Sequence, residues 1–192
     1  MKKIGITGGI GSGKSVVSNL FRLMGVPVYD ADAESKRIVN VDQKVRAGLV
    51  SLFGSDIYSP NGQLDKPKLA GFIFTDKESL LQVNRLIHPA VSRDFFIWSD
   101  RQATSIVAIE SAILFDSGFN RLVDVSINVS APKEQCFQRV MLRDGISHEQ
   151  VLNRVNNQMT DKQRNTLADC TILNDGIHPI IPQVVHILHM LL

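Results

Sequence analysis

Lys3-Ile4-Gly5-Ile6-Thr7-Gly8-Gly9-Ile10-Gly11-Ser12-Gly13-Lys14-Ser15-Val16-Val17 stands at the start of the chain and decides its fold. Lys3 to Thr7 is a short β-like run. Residues 8–15 fit G-x-x-x-x-G-K-[ST], with four glycines, a lysine and a serine in register. Val16, Val17, Leu20, Phe21 and Met24 then recur at spacings of one and three, which predicts a helix over 14–24 carrying all five on one face. Gly25 stands where a helix-closing glycine belongs. A strand, a glycine-rich loop and a helix in this order form an anion cradle. Glycines let backbone N–H groups come close to phosphate oxygens, and the helix N-terminus adds its own partial positive charge. Lys14 supplies a point charge for β- and γ-phosphates, and the Ser15 hydroxyl is a ligand for Mg²⁺. The pattern points to nucleotide phosphate and is silent on the acceptor.

Outward from the loop, β-like runs alternate with helical patterns. Val26-Pro27-Val28-Tyr29 ends at Asp30, and Ser105-Ile106-Val107-Ala108-Ile109 ends at Glu110. Residues 123–129 alternate, placing Val123, Val125, Ile127 and Val129 on one face, and Thr171-Ile172-Leu173 runs into the turn Asn174-Asp175-Gly176. Capping boxes begin at Thr75, Ser147 and Thr160. The first starts a helix through Leu80, Val83, Leu86 and Ile87 that His88-Pro89 ends. Strands separated by helices predict an α/β layer fold with a parallel sheet. Residues 38–95 break the alternation and are mostly helical, so they form an inserted helical subdomain, leaving residues 1–37 and 96–192 as the core.

The charge balance excludes several classes. There are 21 basic and 19 acidic side chains, and no polybasic block, which argues against a nucleic-acid or membrane-surface protein. Cys136 and Cys170 fit neither a disulfide framework nor a metal motif. No apolar stretch approaches a membrane span, and a cytoplasmic protein is expected.

Several side chains are candidates for the acceptor side. Asp30 and Asp32 follow the second strand, at the edge where open α/β sheets bind ligands, and a carboxylate there orients or deprotonates an attacking hydroxyl. Each is equally an N-cap for the following helix. Arg139 and Arg143 share a helix face at i, i+4 and are placed to fold over phosphates, or else simply form a solvated face with Glu134 or Asp144. Glu110 is a candidate for magnesium or merely ends its strand. Competing readings are another small-molecule kinase and a nucleotide switch; no N-K-x-D guanine signature is present.

Taken together, the motifs resemble the dephospho-coenzyme A kinase family. Residues 7–15 and Asp30-Ala31-Asp32 are joined by Asn61-Gly62-Gln63-Leu64-Asp65, by Asn84 with Ile87-His88-Pro89, and by Arg139 to Asp144. Gln158, Arg164, Ala168-Asp169 and Asn174-Asp175-Gly176 complete the order. The resemblance implies a three-layer phosphate-loop kinase core with a parallel five-stranded sheet in the order 2-3-1-4-5. A helical acceptor-binding insertion and a helical lid over about residues 132–165 go with it. It implies phosphorylation of the ribose 3′-hydroxyl of dephospho-coenzyme A by ATP with Mg²⁺, in a monomer or small homo-oligomer. Asp32 would then orient or deprotonate the hydroxyl. Lys14 and Arg143, assisted by Arg139, would stabilise the transferring group, and Ser15 would hold Mg²⁺. His88 and Asp30 would serve the acceptor. ATP would meet Gly8, Gly9, Gly11, Ser12, Gly13, Lys14, Ser15, Val16 through its N–H, Asn174 and Gly176. The family's P-L-L-F-E here reads Ala112-Ile113-Leu114-Phe115-Asp116.

Overall fold

The protein was analysed as a computed structural model, which describes residues 1–191; Leu192, the last residue of the expected core, lies outside the described residues. The strands are β1 (Lys2–Thr7), β2 (Val28–Asp30), β3 (Ile106–Glu110), β4 (Val125–Ser130) and β5 (Cys170–Leu173). They form one sheet in the order β2-β3-β1-β4-β5, with every pairing parallel. The helices are α1 (Lys14–Leu23), α2 (Ala31–Val41), α3 (Gln43–Phe53), α4 (Lys66–Thr75), α5 (Lys77–Ser99), α6 (Lys133–Asp144), α7 (His148–Asn156), α8 (Asp161–Leu167) and α9 (Ile180–Leu191).

The chain divides into two compact units, Met1–Asp30 with the residues from Arg101 onward, and Ala31–Asp100. The sequence reading put the borders at 37/38 and 95/96. The structure moves them to 30/31 and 100/101, because α2 and α5 each run unbroken through the expected border.

In the first unit, α1 and α9 cover one face of the sheet. Ile4 and Ile6 of β1, Ile127 and Val129 of β4, and Val17 and Phe21 of α1 meet in a core with Val184 and Ile187 of α9. Burying side chains of this size stabilises by about 1.5–3 kcal/mol each. The face predicted for α1 is only partly right. Val17 and Phe21 are fully buried, but Val16 is 53% exposed because it lies one position off the stripe facing the sheet. Gly25 does close the helix: its N–H donates to Arg22 O and the Val26 N–H to Phe21 O.

The opposite face of β4 departs from the simple alternation. Ser126, Asn128 and Ser130 are buried there too, and Val123 precedes the strand. Their donors are matched by side chains from the segment leading to β5, while Asn128 Oδ1 has no hydrogen-bond partner among the described residues. Ser126 donates to Asp169 (2.7 Å), Asn128 to Asn165 (2.6 Å) and Ser130 to Asp161 (2.5 Å). A central parallel strand is buried on both faces, so alternation in such a strand separates apolar from paired polar residues.

The second unit is helical. Its core includes Ile38, Val45, Leu49, Ile57, Val83, Val91 and Phe95. The Gly62–Asp65 signature is structural. The Leu64 N–H donates to Asn40 Oδ1, and Asp65 caps α4 by accepting from the Lys68 N–H. The capping box expected at Thr75 is displaced. Thr75 ends α4, its hydroxyl donating to Gly71 O, and Asp76 caps α5 through the N–H groups of Glu78 and Ser79. Pro89 does not end a helix. It lies inside α5, which loses one backbone bond at that point and continues because Ala90, Val91 and Phe95 are buried beyond it.

Candidate active site

The phosphate loop connects β1 to α1 at the carboxyl edge of the sheet. Gly11 and Gly13 take φ of +78° and +92°, which side chains resist. A Cβ at Gly13 would also stand 2.1 Å from Asn174 Nδ2. Among the described residues, the N–H groups of Gly11, Gly13, Lys14 and Ser15 find no acceptor within the protein. Unsatisfied N–H groups beside a helix N-terminus make an anion site.

Three segments hold this loop in shape. Asn174, just after β5, donates from Nδ2 to Ser12 O at 2.7 Å. Arg139 of α6 donates to Gly11 O (3.3 Å), Ser12 O (3.4 Å) and Asn174 O (3.0 Å). Gln158 accepts from the Ile10 N–H at 3.0 Å. Asn174 and Arg139 are thus brought to the loop, and Gly176 lies two residues on in the β5–α9 turn, where Asp175 O accepts from Gln135.

Glu110 supplies the opposing charge. It ends β3, is only 4% exposed, and its Oε1 accepts from Lys14 Nζ at 2.6 Å and from Ser15 Oγ at 3.2 Å. Burial pushes its carboxyl up. The charge and hydrogen bond of Lys14 and the Ser15 hydroxyl outweigh that and leave it below the ordinary range. Asp30 is its register partner on β2. The sequence left Glu110 undecided; the signal that finds it is its place at the end of the strand beside β1.

The remaining candidates lie on α2, α5 and α6 and in the turn after β3. Asp32 is exposed on the first turn of α2, in the second unit. His88 is half-buried on α5, four residues from Asn84, and burial pushes its imidazole down. Arg143 is not at the loop. Its Nε donates to Asp144 at 2.7 Å, and Arg154 holds the same carboxylate at 2.7 Å. Arg139 and Arg143 both lie in α6 at the expected i, i+4 spacing, but one turn apart they meet different partners, Arg139 the loop and Arg143 the Asp144 carboxylate, as the solvated-face alternative expected for Arg143. Asp116 is exposed in the turn after β3.

Ser15 with Glu110 offers oxygen donors of the kind Mg²⁺ takes beside nucleotide phosphates, where one or two protein oxygens suffice. Among the described residues no group of three or more His, Cys, Asp or Glu forms a cage of its own. No described helix is long and apolar enough to cross a membrane.

Comparison with known proteins agrees with the geometry. The dephospho-CoA kinase family model matches residues 2–179. The dephospho-CoA kinase of Bacteroides fragilis strain YCH46 is 45% identical over 190 residues, covering 98% of this chain and 92% of the relative. That of Porphyromonas gingivalis is 46% identical over 189 residues, covering 98% and 93%. A crystal structure from Thermus thermophilus superposes with a TM-score of 0.86 at 33% identity, covering 98% of this chain and 96% of the other. With its parallel sheet, phosphate loop and full-length relatives, the chain belongs to the dephospho-CoA kinase family.

Proposed function

We propose that the chain transfers the γ-phosphoryl group of ATP to the ribose 3′-hydroxyl of dephospho-coenzyme A, giving coenzyme A. The observation that carries this reading is the braced phosphate loop with its free N–H groups, in a chain matched by that family over residues 2–179. Phosphoryl transfer of this kind needs little covalent chemistry from the protein; positioning and charge do most of the work.

Gly8, Gly9, Gly11, Ser12, Gly13 and the N–H groups of Lys14, Ser15 and Val16 cradle the ATP phosphates. Asn174 and Gly176 serve the nucleotide base. Lys14 leaves Glu110 to pair with phosphate. Ser15, with Glu110 or Asp30, would hold Mg²⁺, which would neutralise phosphate charge. Arg143 joins the transferring group by exchanging Asp144 for it; Asp144 keeps Arg154 as a partner, so the exchange strands no carboxylate. Arg139 acts from its place against the loop. Asp32 orients the 3′-hydroxyl or accepts its proton, and His88 contributes to acceptor binding. The reaction belongs in the cytoplasm, with ATP and dephospho-coenzyme A as its small-molecule partners.

Asp32→Asn tests the acceptor assignment. The variant should bind ATP normally and lose at least a hundredfold in kcat, the usual weight of a positioned base being about 10²–10⁴. Turnover within threefold of the parent would remove Asp32 from the reaction.

A further inference from the structure

A cavity of about 460 Å³ opens beside the phosphate loop within the first unit. Gly9, Ile10 and Ser12 form one wall and helices α6 to α8 the other; Lys14, Ser15, Glu110 and Asn174 do not line it. It therefore adjoins the phosphate cradle, sharing Gly9 and Ser12 with it but none of Lys14, Ser15, Glu110 and Asn174. Much of the lining is apolar: Ile10, Phe137, Val155 and Met159, with the half-buried Cys136.

Two buried donors line it without a partner. Ser12 is 2% exposed and Arg164 6% exposed, and neither Ser12 Oγ nor Arg164 Nε has a hydrogen-bond partner among the described residues. The rest of the Arg164 guanidinium is occupied. Nη1 donates to Met159 O, and Nη2 lies 3.5 Å from Asp161 Oδ1. Nη2 also packs against the loop, where a Cβ at Gly9 would stand 2.6 Å away. A buried donor left without a partner is costly, so a ligand that satisfies both is favoured. Asp161 offsets the Arg164 charge, and Lys133, also in the lining, stands 5.4 Å from the Phe137 ring, so the two buried donors suit neutral hydrogen-bond acceptors. Its volume suits a ligand of roughly drug size.

We infer that this cavity receives the pantetheine arm of the acceptor, a neutral chain of amides and apolar carbons ending in a thiol. The inference rests on the kinase reading above. Amide carbonyls accept from Arg164 Nε and Ser12 Oγ, and the branched apolar carbons lie on Ile10, Phe137, Val155 and Met159. Because Ser12 and Gly9 belong to the phosphate loop, the arm tethers the acceptor beside the transfer site. Binding energy from a remote part of a substrate can be used in this way to orient the reacting end.

Calorimetric titrations with the ATP site filled by a non-hydrolysable analogue test this. Dephospho-coenzyme A is compared with adenosine 5′-phosphate, which lacks the arm. Val155→Trp fills the cavity and should weaken dephospho-coenzyme A at least tenfold relative to adenosine 5′-phosphate. Equal weakening of both ligands, or none, would overturn the assignment. A second measurement does not depend on the variant folding. Free pantetheine should shift the Met159 methyl resonance of the wild-type chain, and dephospho-coenzyme A should displace it; no shift overturns the assignment. If wild-type chain phosphorylates dephospho-coenzyme A while these tests fail, the cavity assignment falls and the kinase reading stands. No transfer to dephospho-coenzyme A would remove the kinase reading itself.

Discussion

Arg139→Ala should loosen the phosphate loop without touching Lys14 or Ser15. Arg139 donates to Gly11 O, Ser12 O, Asn174 O and Gln135 Oε1 at 3.3, 3.4, 3.0 and 3.1 Å. A hydrogen bond from a charged donor contributes about 1.5–3 kcal/mol. The two loop contacts are long and share one nitrogen, so together they count as one. The Asn174 contact is a second, and Gln135, on the same helix, does little for the loop. Partial exposure of the guanidinium halves the sum, leaving about 1.5–3 kcal/mol. If that loss falls on loop order, ATP Kd rises about 10- to 100-fold. The melting temperature falls by about 3–10 °C. Calorimetric titration with a non-hydrolysable ATP analogue, beside Arg139→Lys, reads this directly. Lysine keeps the charge but lacks the planar fork, so it should recover little of the affinity. An Ala variant within twofold of the parent would refute the bracing role, and full recovery by Lys would show that charge toward ATP is what matters.

Two further perturbations act through titratable groups. Glu110→Gln leaves Lys14 without its counter-charge, and breaking a buried pair of this kind costs about 3 kcal/mol at the lower end of the usual range. An unchanged thermal melt would contradict the pairing. Because the folded pKa of Glu110 is lowered, its stabilisation is present above the ordinary carboxylate range and is lost as pH falls through the folded value; the variant should lose that acid-side slope. Burial lowers the pKa of the His88 imidazole, so the unfolded chain binds its proton more readily. Stability should therefore fall as pH drops below about 6.5, the ordinary imidazole value. His88→Gln should flatten denaturant midpoints between pH 7.5 and 5.5, and an unflattened profile would show that the burial of His88 does not matter.

The parts of the fold that follow from local rules were legible in the sequence. The loop at residues 8–15, the boxes at Ser147 and Thr160, the glycine closing α1 and the strand order all follow from spacing, capping chemistry or the family motifs. What was not legible depends on tertiary partners. Thr75 and Asp76 are adjacent and both cap helices well; only the end of α4 makes Asp76 the cap. Pro89 is an interior residue because burial beyond it outweighs one lost bond. In the site, Lys14 and Ser15 declare themselves, but Glu110 needs the β1–β3 pairing to bring it across 96 residues of chain. Arg139 and Arg143 are indistinguishable by spacing. One reaches the loop and Asn174, the other, one helical turn on, meets Asp144.

The most direct test of the central claim is the reaction itself. Purified chain, ATP, Mg²⁺ and dephospho-coenzyme A are incubated beside a panel of nucleosides and nucleotides, and the products are followed by phosphorus NMR. The account predicts a new phosphomonoester on the ribose 3′-oxygen of dephospho-coenzyme A, formed with one ADP per product. Transfer only to another member of the panel, or ATP hydrolysis with no phosphorylated acceptor, would contradict it.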